Sequence, residues 1–468
     1  MAAPCEPGGQ KVARQGAELE LDSGSMSTYR IDTVLRVRTK HRPGQLARLA
    51  TVIAQEGALV GEITTVQLAE GLSTRDITVE TETEAHTARL VAALSRTDGC
   101  EVIEVKDRVF DCHRGGKIHS TSRIELRQLG DLRYIYTPGV ARVARAIAAE
   151  PETAWDYTSL GRSVGIFTNG SRVLGLGNIG PVASLPVMEG KAVLYDKFAG
   201  LSATPILIDT LDADEFILAV VRVARSFGGI HLEDIRSPEC FKIESELRRL
   251  LKKPVMHDDQ HGTAVVTLAA IINACRITGL SLKQSKLGQV GLGAAGSAIA
   301  RLALAYGVGS VLVNDRSPAA VAALSEQGAQ PAELATILAE AQIVVCTTGQ
   351  VGLIDPQQIR PGQVIFALSN PIPEIDPDTA RAAGAAYAAD GTSINNALAF
   401  PGIFKGALLT RSSTIHPRMY IAAAEAIAGC AARNEIVPSQ LDPAVHAAVC
   451  AAVADCARAL GLAGTAVL

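Results

Sequence analysis

Two pairs of adjacent carboxylates each come directly after a short apolar stretch of the sequence. The pairs are Glu233 with Asp234 after residues 229–232, and Asp258 with Asp259 after residues 254–256 and the intervening His257. These stretches are predicted strands, and the carboxyl ends of parallel strands meet at one edge of a sheet. Three of these four carboxylates at one place, without cysteine, would suit Mg²⁺ or Mn²⁺ better than zinc. The alternatives are a helix N-cap for Asp258 or Asp259 and a surface ion pair for Glu233.

A single lysine, Lys191, lies within the apolar segment 187–192. Burial disfavours the charged form of a lysine, so a buried lysine can serve as a base. The alternative is a surface lysine that covers apolar groups with its stem and keeps its ammonium group in water.

A dinucleotide-binding pattern follows the predicted strand Lys286–Val290. It consists of Gly291, Leu292, Gly293, Ala294, Ala295 and Gly296, and an apolar helix continues through Ala305. In this pattern the first glycine makes a tight turn, the second lets the pyrophosphate approach, and the third lets the helix pack on the strand. The pyrophosphate would lie at the helix N-terminus, where free N–H groups favour anions. The alternative is a glycine-rich turn in an unrelated α/β domain.

The next predicted strand, Ser310–Asn314, is followed by Asp315 and Arg316. A carboxylate at the end of this strand accepts hydrogen bonds from the ribose of NAD and would repel the 2′-phosphate of NADP. Arg316 could instead pair with a 2′-phosphate. We therefore expect NAD as the cofactor and keep NADP open.

The elements that position these residues begin after a polar segment, residues 1–27, predicted to be a disordered tail. Residues 28–110 show the order strand, helix, strand, strand, helix, strand, which is typical of a ferredoxin-like α+β unit. With a Pro-Gly turn at Pro43 and Gly44 before its first helix, the unit resembles an ACT domain. That resemblance implies a small effector, such as an amino acid. The alternative is a ferredoxin-like packing domain without a ligand.

The bulk composition excludes several classes of protein. Hydrophobic residues make up 48% of the 468 residues and charged residues 20%, which is typical of a globular protein with a large core. A net charge of −4 and an aromatic content of 4% give no reason to expect a nucleic-acid or membrane partner. The nine cysteines contain no C-x-x-C pair, which favours reduced, buried thiols and a cytoplasmic location.

Seven motifs, taken together and in order, resemble the malic enzyme family in its short bacterial form. They are Tyr136–Ala141, Arg172 with the glycine-containing run 175–180, Met188–Lys191, Leu232–Ile235, His257–Thr263, Ser369–Pro371, and Asn395-Asn396 before Phe400–Gly402. The resemblance covers about residues 115–430. It implies NAD- or NADP-dependent oxidative decarboxylation of L-malate to pyruvate, with Mg²⁺ or Mn²⁺.

The family resemblance also implies a role for each matching residue. Glu233, Asp234 and Asp259 would hold the metal, while Lys191 would take the hydroxyl proton with Asp258 beside it. Tyr136 would protonate C3 after decarboxylation. Carboxylate oxygens of the substrate would be bound by Arg172, Asn370 and Asn396. Asn370 is also expected near the cofactor, with the residues of the glycine pattern, Asp315 and Arg316.

The implied fold class is α/β, a two-domain malic enzyme-like body with a Rossmann-type NAD(P)-binding domain, preceded by the ferredoxin-like (ACT) domain. The expected boundaries are 111–281 for the substrate and metal domain, 282–435 for the Rossmann domain and 436–468 for a C-terminal helical segment. The metal and cofactor sites should lie in the cleft between the two catalytic domains.

Three points stay open at this level. A malolactic enzyme would share these motifs but yield lactate, and a catalytically silent ACT-based sensor would need none of the catalytic residues. A homodimer or higher homo-oligomer is expected. The sequence between Asp315 and Ile343 is short and alanine-rich for the family, which bears on cofactor preference more than on catalysis.

Overall fold

The computed structural model describes residues 31–173 and 175–467. The expected tail at 1–27 lies outside these residues. The described chain forms three sheets, one antiparallel and two parallel, which match the three units expected from the sequence.

The N-terminal unit has the predicted order of elements. They are β1 (Ile31–Lys40), α1 (Gln45–Gln55), β2 (Leu59–Ala69), β3 (Leu72–Thr81), α2 (Glu84–Ser95) and β4 (Cys100–Asp107). The antiparallel sheet has the order β2-β3-β1-β4. One face packs on both helices around a core that includes Leu35, Ile77, Leu49 and Leu90. The structure therefore confirms the ferredoxin-like α+β unit.

A largely exposed segment joins this unit to the catalytic body. Its helices are α3 (Arg108–His113), α4 (Leu132–Ile135), α5 (Val140–Ala149) and α6 (Ala154–Tyr157). We call residues 118–149 the connecting arm. None of the α5 side chains is buried. Apolar side chains elsewhere on the arm are also exposed to solvent: the exposed fractions of Leu129, Tyr134 and Tyr136 are 87%, 82% and 68%.

The substrate domain is built on a parallel sheet of order β6-β5-β7-β8. Its elements are β5 (Ser163–Thr168), α7 (Pro181–Leu194), β6 (Ser202–Leu207), α8 (Ala213–Val223), β7 (Gly229–Leu232), α9 (Glu239–Leu250), β8 (Val255–His257) and α10 (Asp258–Thr278). Strands β7 and β8 are buried throughout and pair as neighbours, so their carboxyl ends lie side by side.

The second parallel sheet has the order β11-β10-β9-β12-β13-β14. Its elements are β9 (Lys286–Val290), α11 (Ala294–Tyr306), β10 (Ser310–Asn314), α12 (Pro318–Ser325), β11 (Gln330–Pro331), α13 (Leu334–Glu340), β12 (Ile343–Cys346), β13 (Val364–Ala367), α14 (Pro377–Ala382) and β14 (Tyr387–Asp390). The strand order reverses direction between β9 and β12, which creates the crevice where a doubly wound sheet binds its ligand. This is the expected Rossmann-type domain.

The last helices return to the substrate domain. They are α15 (Phe400–Leu409), α16 (Pro417–Cys430) and α17 (Pro443–Ala459), and they share one core with α10 and the first strands of the Rossmann sheet. The buried Asn273 side chain of α10 donates hydrogen bonds to the carbonyl oxygens of Ala428 at 3.0 Å and Ile436 at 2.9 Å. The two parallel sheets are therefore joined by a continuous core.

Helix α10 has the length and apolar composition of a helix that could cross a membrane, but 67% of that stretch is buried within the fold. This is the pattern of a central core helix. The eight cysteines of the described residues form no disulfide; four of them are buried, whereas Cys112 and Cys430 are exposed, so the expectation of buried thiols holds only in part.

Candidate active site

Three carboxylates converge where β7 and β8 end. Oxygen atoms of Glu233, Asp234 and Asp259 lie within 4.8 Å of one another. The chain turns at Asp234, whose φ of 55° is in the left-handed region, so two consecutive acids leave the end of β7 towards the same place. The Asp234 backbone N–H donates to Asp259 Oδ2 at 3.0 Å. Three clustered carboxylates make a donor set that fits a hard divalent cation.

Lys191 is the centre of the charged network beside these acids. Its Nζ lies 2.5 Å from Asp258 Oδ2, 3.0 Å from Glu233 Oε1 and 3.2 Å from Asn396 Oδ1. Asn396 follows the last strand of the Rossmann sheet, so both catalytic domains contribute to this contact. The lysine also lies 4.7 Å above the Phe400 ring. Lys191 is only 8% exposed, so the lysine is buried and the surface interpretation, which the residues alone favoured, is wrong.

The pKa values of the lysine and the acids show how burial and the neighbouring charges act against each other. Burial by itself lowers the pKa of Lys191, but the neighbouring Asp258 and Glu233 outweigh it and raise that pKa. Burial also raises the pKa of Asp258 to about 6 and that of Glu233 to about 7, against the opposing charge of Lys191. The pKa of the lysine is thus shifted upwards by its acids and not downwards by burial, in contrast to the expectation from the sequence.

A buried glutamate that the sequence analysis missed stabilises the first turn of α10, which carries Asp258 and Asp259. Glu244 of α9 accepts hydrogen bonds from His257 N at 3.1 Å, Gln260 Nε2 at 3.1 Å and His261 Nε2 at 3.0 Å. Burial would raise the pKa of Glu244, but His261 and the other nearby positive groups lower it to about 2. Of the two histidines that flank Asp258 and Asp259, His261 bonds this carboxylate through its ring, whereas His257 bonds it through the backbone N–H.

Two further side chains absent from the sequence analysis lie behind Glu233. His231 Nε2 is 2.5 Å from Glu233 Oε2, and the Tyr195 hydroxyl is 2.8 Å from His231 Nδ1. Both residues are fully buried. Because Tyr195 and His231 lie in apolar segments of the sequence, no local pattern distinguishes them from core residues.

The glycine pattern has the conformation that its spacing predicts. Gly291 has a φ of +88°, and a Cβ atom there would lie 2.8 Å from the Thr347 carbonyl oxygen. A Cβ on Gly296 would lie 1.9 Å from the Gly291 carbonyl oxygen, whereas a Cβ on Gly293 would meet no described atom within 4 Å. Ala294 and Ala295 begin α11, and Gly293 as N-cap leaves its first N–H groups without a side-chain acceptor. These features fit the pyrophosphate of a dinucleotide.

Asp315 lies directly after β10 and beside the glycine turn. Its carboxylate accepts hydrogen bonds from the backbone N–H of Leu292 at 2.6 Å and of Ser317 at 2.7 Å. The side chain is thus held at the mouth of the crevice, in the position expected for a ribose acceptor. Arg316 is exposed next to it and makes no ion pair with the described residues.

The expected carboxylate-binding residues line the space between the two sheets. The Arg172 backbone N–H donates to the Asp234 carbonyl oxygen at 3.0 Å, which places this exposed arginine beside the acids. Nearby, a Cβ on Gly175 would lie 3.4 Å from Pro371 Cδ, so the loop containing Asn370 lies against the substrate domain. Val173 pairs with Gly177 as an isolated bridge, so the glycine run 175–180 begins in a turn and not after a strand.

Tyr136 is the one expected catalytic residue that the fold of a single chain leaves apart from Lys191. It lies on the connecting arm, is 68% exposed, and its hydroxyl makes no hydrogen bond with the described residues. The described chain thus brings together the lysine, the acids expected to bind the metal and Asn396, whereas no hydrogen bond joins Tyr136 to them.

Family models match the chain along most of its length. The malic enzyme N-terminal domain matches residues 117–248, and the malic enzyme NAD-binding domain matches residues 325–460. An ACT domain matches residues 27–106. Residues 256–351, which overlap the start of the second malic enzyme match, match the NAD-binding domain of D-isomer specific 2-hydroxyacid dehydrogenases.

Individual relatives agree with these matches. NAD-dependent malic enzyme 1 of Bacillus subtilis is 51% identical over 421 residues, which are 90% of this chain and 96% of that protein. The bifunctional malic/malolactic enzyme of the same organism is 41% identical and covers 74% of this chain and 91% of its own length. A crystal structure of the NAD-dependent malic enzyme from Thermotoga maritima superposes with a TM-score of 0.70 at 39% identity, covering 75% of this chain and 99% of the other. Because it is 51% identical to the first relative over 96% of that protein, the chain belongs to the malic enzyme family.

Proposed function

We propose that this protein oxidises L-malate with NAD and decarboxylates the product to pyruvate and CO₂, in a reaction that depends on Mg²⁺ or Mn²⁺. The observation that carries the proposal is the position of Lys191, 2.5 Å from Asp258 and 3.0 Å from Glu233 of the metal-binding acids. The name and high identity of the Bacillus subtilis relative support the same reaction.

The side chains have distinct tasks in this reaction. Lys191 takes the proton from the C2 hydroxyl as hydride leaves C2 for the nicotinamide, and Asp258 holds the lysine in place. Glu233, Asp234 and Asp259 would hold a divalent cation, which would supply positive charge for the substrate oxygens and would offset the carboxylates that raise the pKa of Lys191. Arg172, Asn370 and Asn396 hold the substrate carboxylates. Asp315 favours NAD over NADP because its charge repels a 2′-phosphate.

The proton donor to C3 is Tyr136, and we propose that it acts in the active site of a second copy of the chain. Within one chain Tyr136 is exposed on an arm whose helix α5 buries no residue. Exposed apolar groups on one continuous segment mark an interaction surface. A homodimer that covers the arm would remove these groups from water and bring the hydroxyl to the partner's lysine.

The N-terminal domain offers a place for an acidic effector. A recess of about 510 Å³ lies at the turn between β1 and α1, and it is lined by Lys40, His41, Arg42, Gly44 and Arg75 among others. Arg42 pairs with Asp98 at 2.9 Å, and the two remaining cations, Lys40 and Arg75, favour a ligand with a carboxylate group. We therefore propose that a small amino acid or dicarboxylic acid binds there and regulates turnover.

A malolactic reaction is the second candidate, favoured by the name of the bifunctional relative. It would use the same metal-binding acids, lysine and cofactor but would return the hydride to pyruvate. Net reduction of NAD separates the two reactions, since only the malic reaction accumulates reduced cofactor.

The reaction is tested by following reduced nicotinamide from L-malate, with NAD and NADP in parallel, and with Mn²⁺ or a chelator. We expect metal-dependent reduction of NAD with an equal amount of pyruvate, and slower reduction of NADP. Lactate without accumulated reduced cofactor would indicate the malolactic reaction. Absence of turnover with every cofactor and metal would contradict the proposal and favour an effector-gated or silent protein.

The cofactor site is tested by Gly293→Ala. A Cβ at this position meets no described atom, so folding should be unaffected, while the close approach of the pyrophosphate is lost. We expect an unchanged melting temperature and an NAD dissociation constant raised by about tenfold or more, measured by calorimetry. Gly429→Ala, also free of clashes but on helix α16, is the matched control and should bind NAD normally. Equal affinity in both variants would refute the assigned pyrophosphate position.

The roles of Lys191 and Tyr136 are tested by two variants, alone and mixed. Lys191→Ala should abolish oxidation of malate with near-normal NAD binding, whereas Tyr136→Phe should lose malate turnover but still reduce added oxaloacetate. If the tyrosine acts in the partner's site, a mixed dimer has one site with both native residues. Random exchange of equal amounts then restores about a quarter of wild-type activity. Exchange shown by native mass spectrometry without recovered activity would place both residues in one chain's site.

The effector site is tested by titrating L-aspartate, L-glutamate and succinate into the full-length protein by calorimetry. We expect at least one of them to bind and to change malate turnover, and Arg75→Ala to lose both effects. Arg89→Ala, an exposed arginine on α2 away from the recess, serves as the control. Binding that Arg75→Ala leaves intact would exclude this recess.

A further inference from the structure

A chain of buried hydrogen bonds lies directly behind the metal-binding acid Glu233. The Tyr195 hydroxyl is 2.8 Å from His231 Nδ1, and His231 Nε2 is 2.5 Å from Glu233 Oε2. Tyr195 and His231 have 0% exposure, so neither can exchange its partner for water. Tyr195 begins the π-helical turn Tyr195–Ala199 that follows α7, and His231 lies on the buried strand β7.

The chemistry of the three side chains determines which atom is the donor in each of these hydrogen bonds. A carboxylate that binds a metal is ionised and only accepts hydrogen bonds, so His231 Nε2 must carry a proton and donate it. With its proton on Nε2, the buried imidazole has Nδ1 left as an acceptor, and Nδ1 faces the Tyr195 hydroxyl. The Tyr195 hydroxyl, whose pKa is raised by burial, keeps its proton and donates to Nδ1. The tyrosine therefore selects the histidine tautomer that can bind Glu233.

Aromatic packing holds the same two rings in place. Phe400 lies edge-on to Tyr195 at 4.9 Å and to His231 at 5.4 Å between ring centroids, and Phe404 stacks on His231 at 5.8 Å. Both phenylalanines belong to α15, which is buried in the core on this side. With rings on several sides, the imidazole has little freedom to turn away from the carboxylate.

The two oxygens of Glu233 are consequently held in different environments. Oε2 accepts from His231 at 2.5 Å, while Oε1 lies 3.0 Å from the Lys191 ammonium. We propose that Tyr195 and His231 are positioning residues that fix the carboxylate plane of Glu233 for binding the divalent cation. This inference rests on the metal site of the proposed function.

A purely packing role is the alternative, because buried polar groups need hydrogen-bond partners in any case. The two roles differ in what a substitution changes. Loss of a packing contact lowers the stability of the protein and leaves its metal affinity unchanged. Loss of a positioning contact weakens metal binding even where the protein stays folded.

The experiment measures Mn²⁺ binding to the full-length protein by calorimetry, together with melting temperature, NAD affinity and malate kinetics. Tyr195→Phe removes one hydroxyl and keeps the ring that packs on Phe400. We expect it to weaken Mn²⁺ binding about tenfold, with unchanged NAD affinity. His231→Leu should weaken it further, and His231→Gln, which keeps an N–H donor for Glu233, should recover part of the loss.

Tyr420→Phe is the matched control. Tyr420 is 2% exposed, and its hydroxyl has no hydrogen-bond partner among the described residues. This substitution should leave Mn²⁺ affinity unchanged. Wild-type Mn²⁺ affinity in Tyr195→Phe and His231→Gln, with only a lower melting temperature, would overturn the positioning role and leave the proposed function standing. A wild-type protein that binds no Mn²⁺ at all would overturn both.

Discussion

The active site depends on one interaction, the burial of the Lys191 ammonium between Asp258 and Glu233. Taking a lysine and two acids out of water is costly, and their mutual attraction offsets that cost only in good geometry. Removing one partner would leave an uncompensated buried charge, which typically costs about 3–5 kcal/mol. Three separate elements, α7, the end of β7 and the start of α10, must therefore meet with little freedom.

The rest of the catalytic body supplies that rigidity. Parallel pairing of β7 and β8 sets their acid-bearing ends side by side, and Glu244 fixes the junction of β8 and α10 through three hydrogen bonds. Helix α15 follows the Rossmann sheet but packs behind Lys191 and Tyr195. The cofactor domain thereby forms part of the wall of the substrate site. A substitution in this shared core should therefore perturb the packing of both domains.

The connecting arm, in contrast to the catalytic body, is not held by a buried core. Its apolar side chains have no core to enter within one chain, and its helix α5 is amphipathic without a buried face. A segment of this kind is stable only when another surface covers it. The catalytic body and the arm thus differ in where their hydrophobic partners come from, and the expected proton donor lies on the arm.

The sequence alone determined the order of the elements, the glycine turn with Asp315, the acids at two strand ends and the family. These depend on local spacing, because a strand that ends in acids or a turn that needs glycine shows in adjacent residues. The tertiary structure alone determined that Tyr195, His231 and Glu244 bond the site, that Lys191 has a raised pKa, and that Tyr136 stays exposed. Each of these depends on contacts between residues far apart in the chain, and a buried histidine or glutamate has no local signature that distinguishes a site from a core.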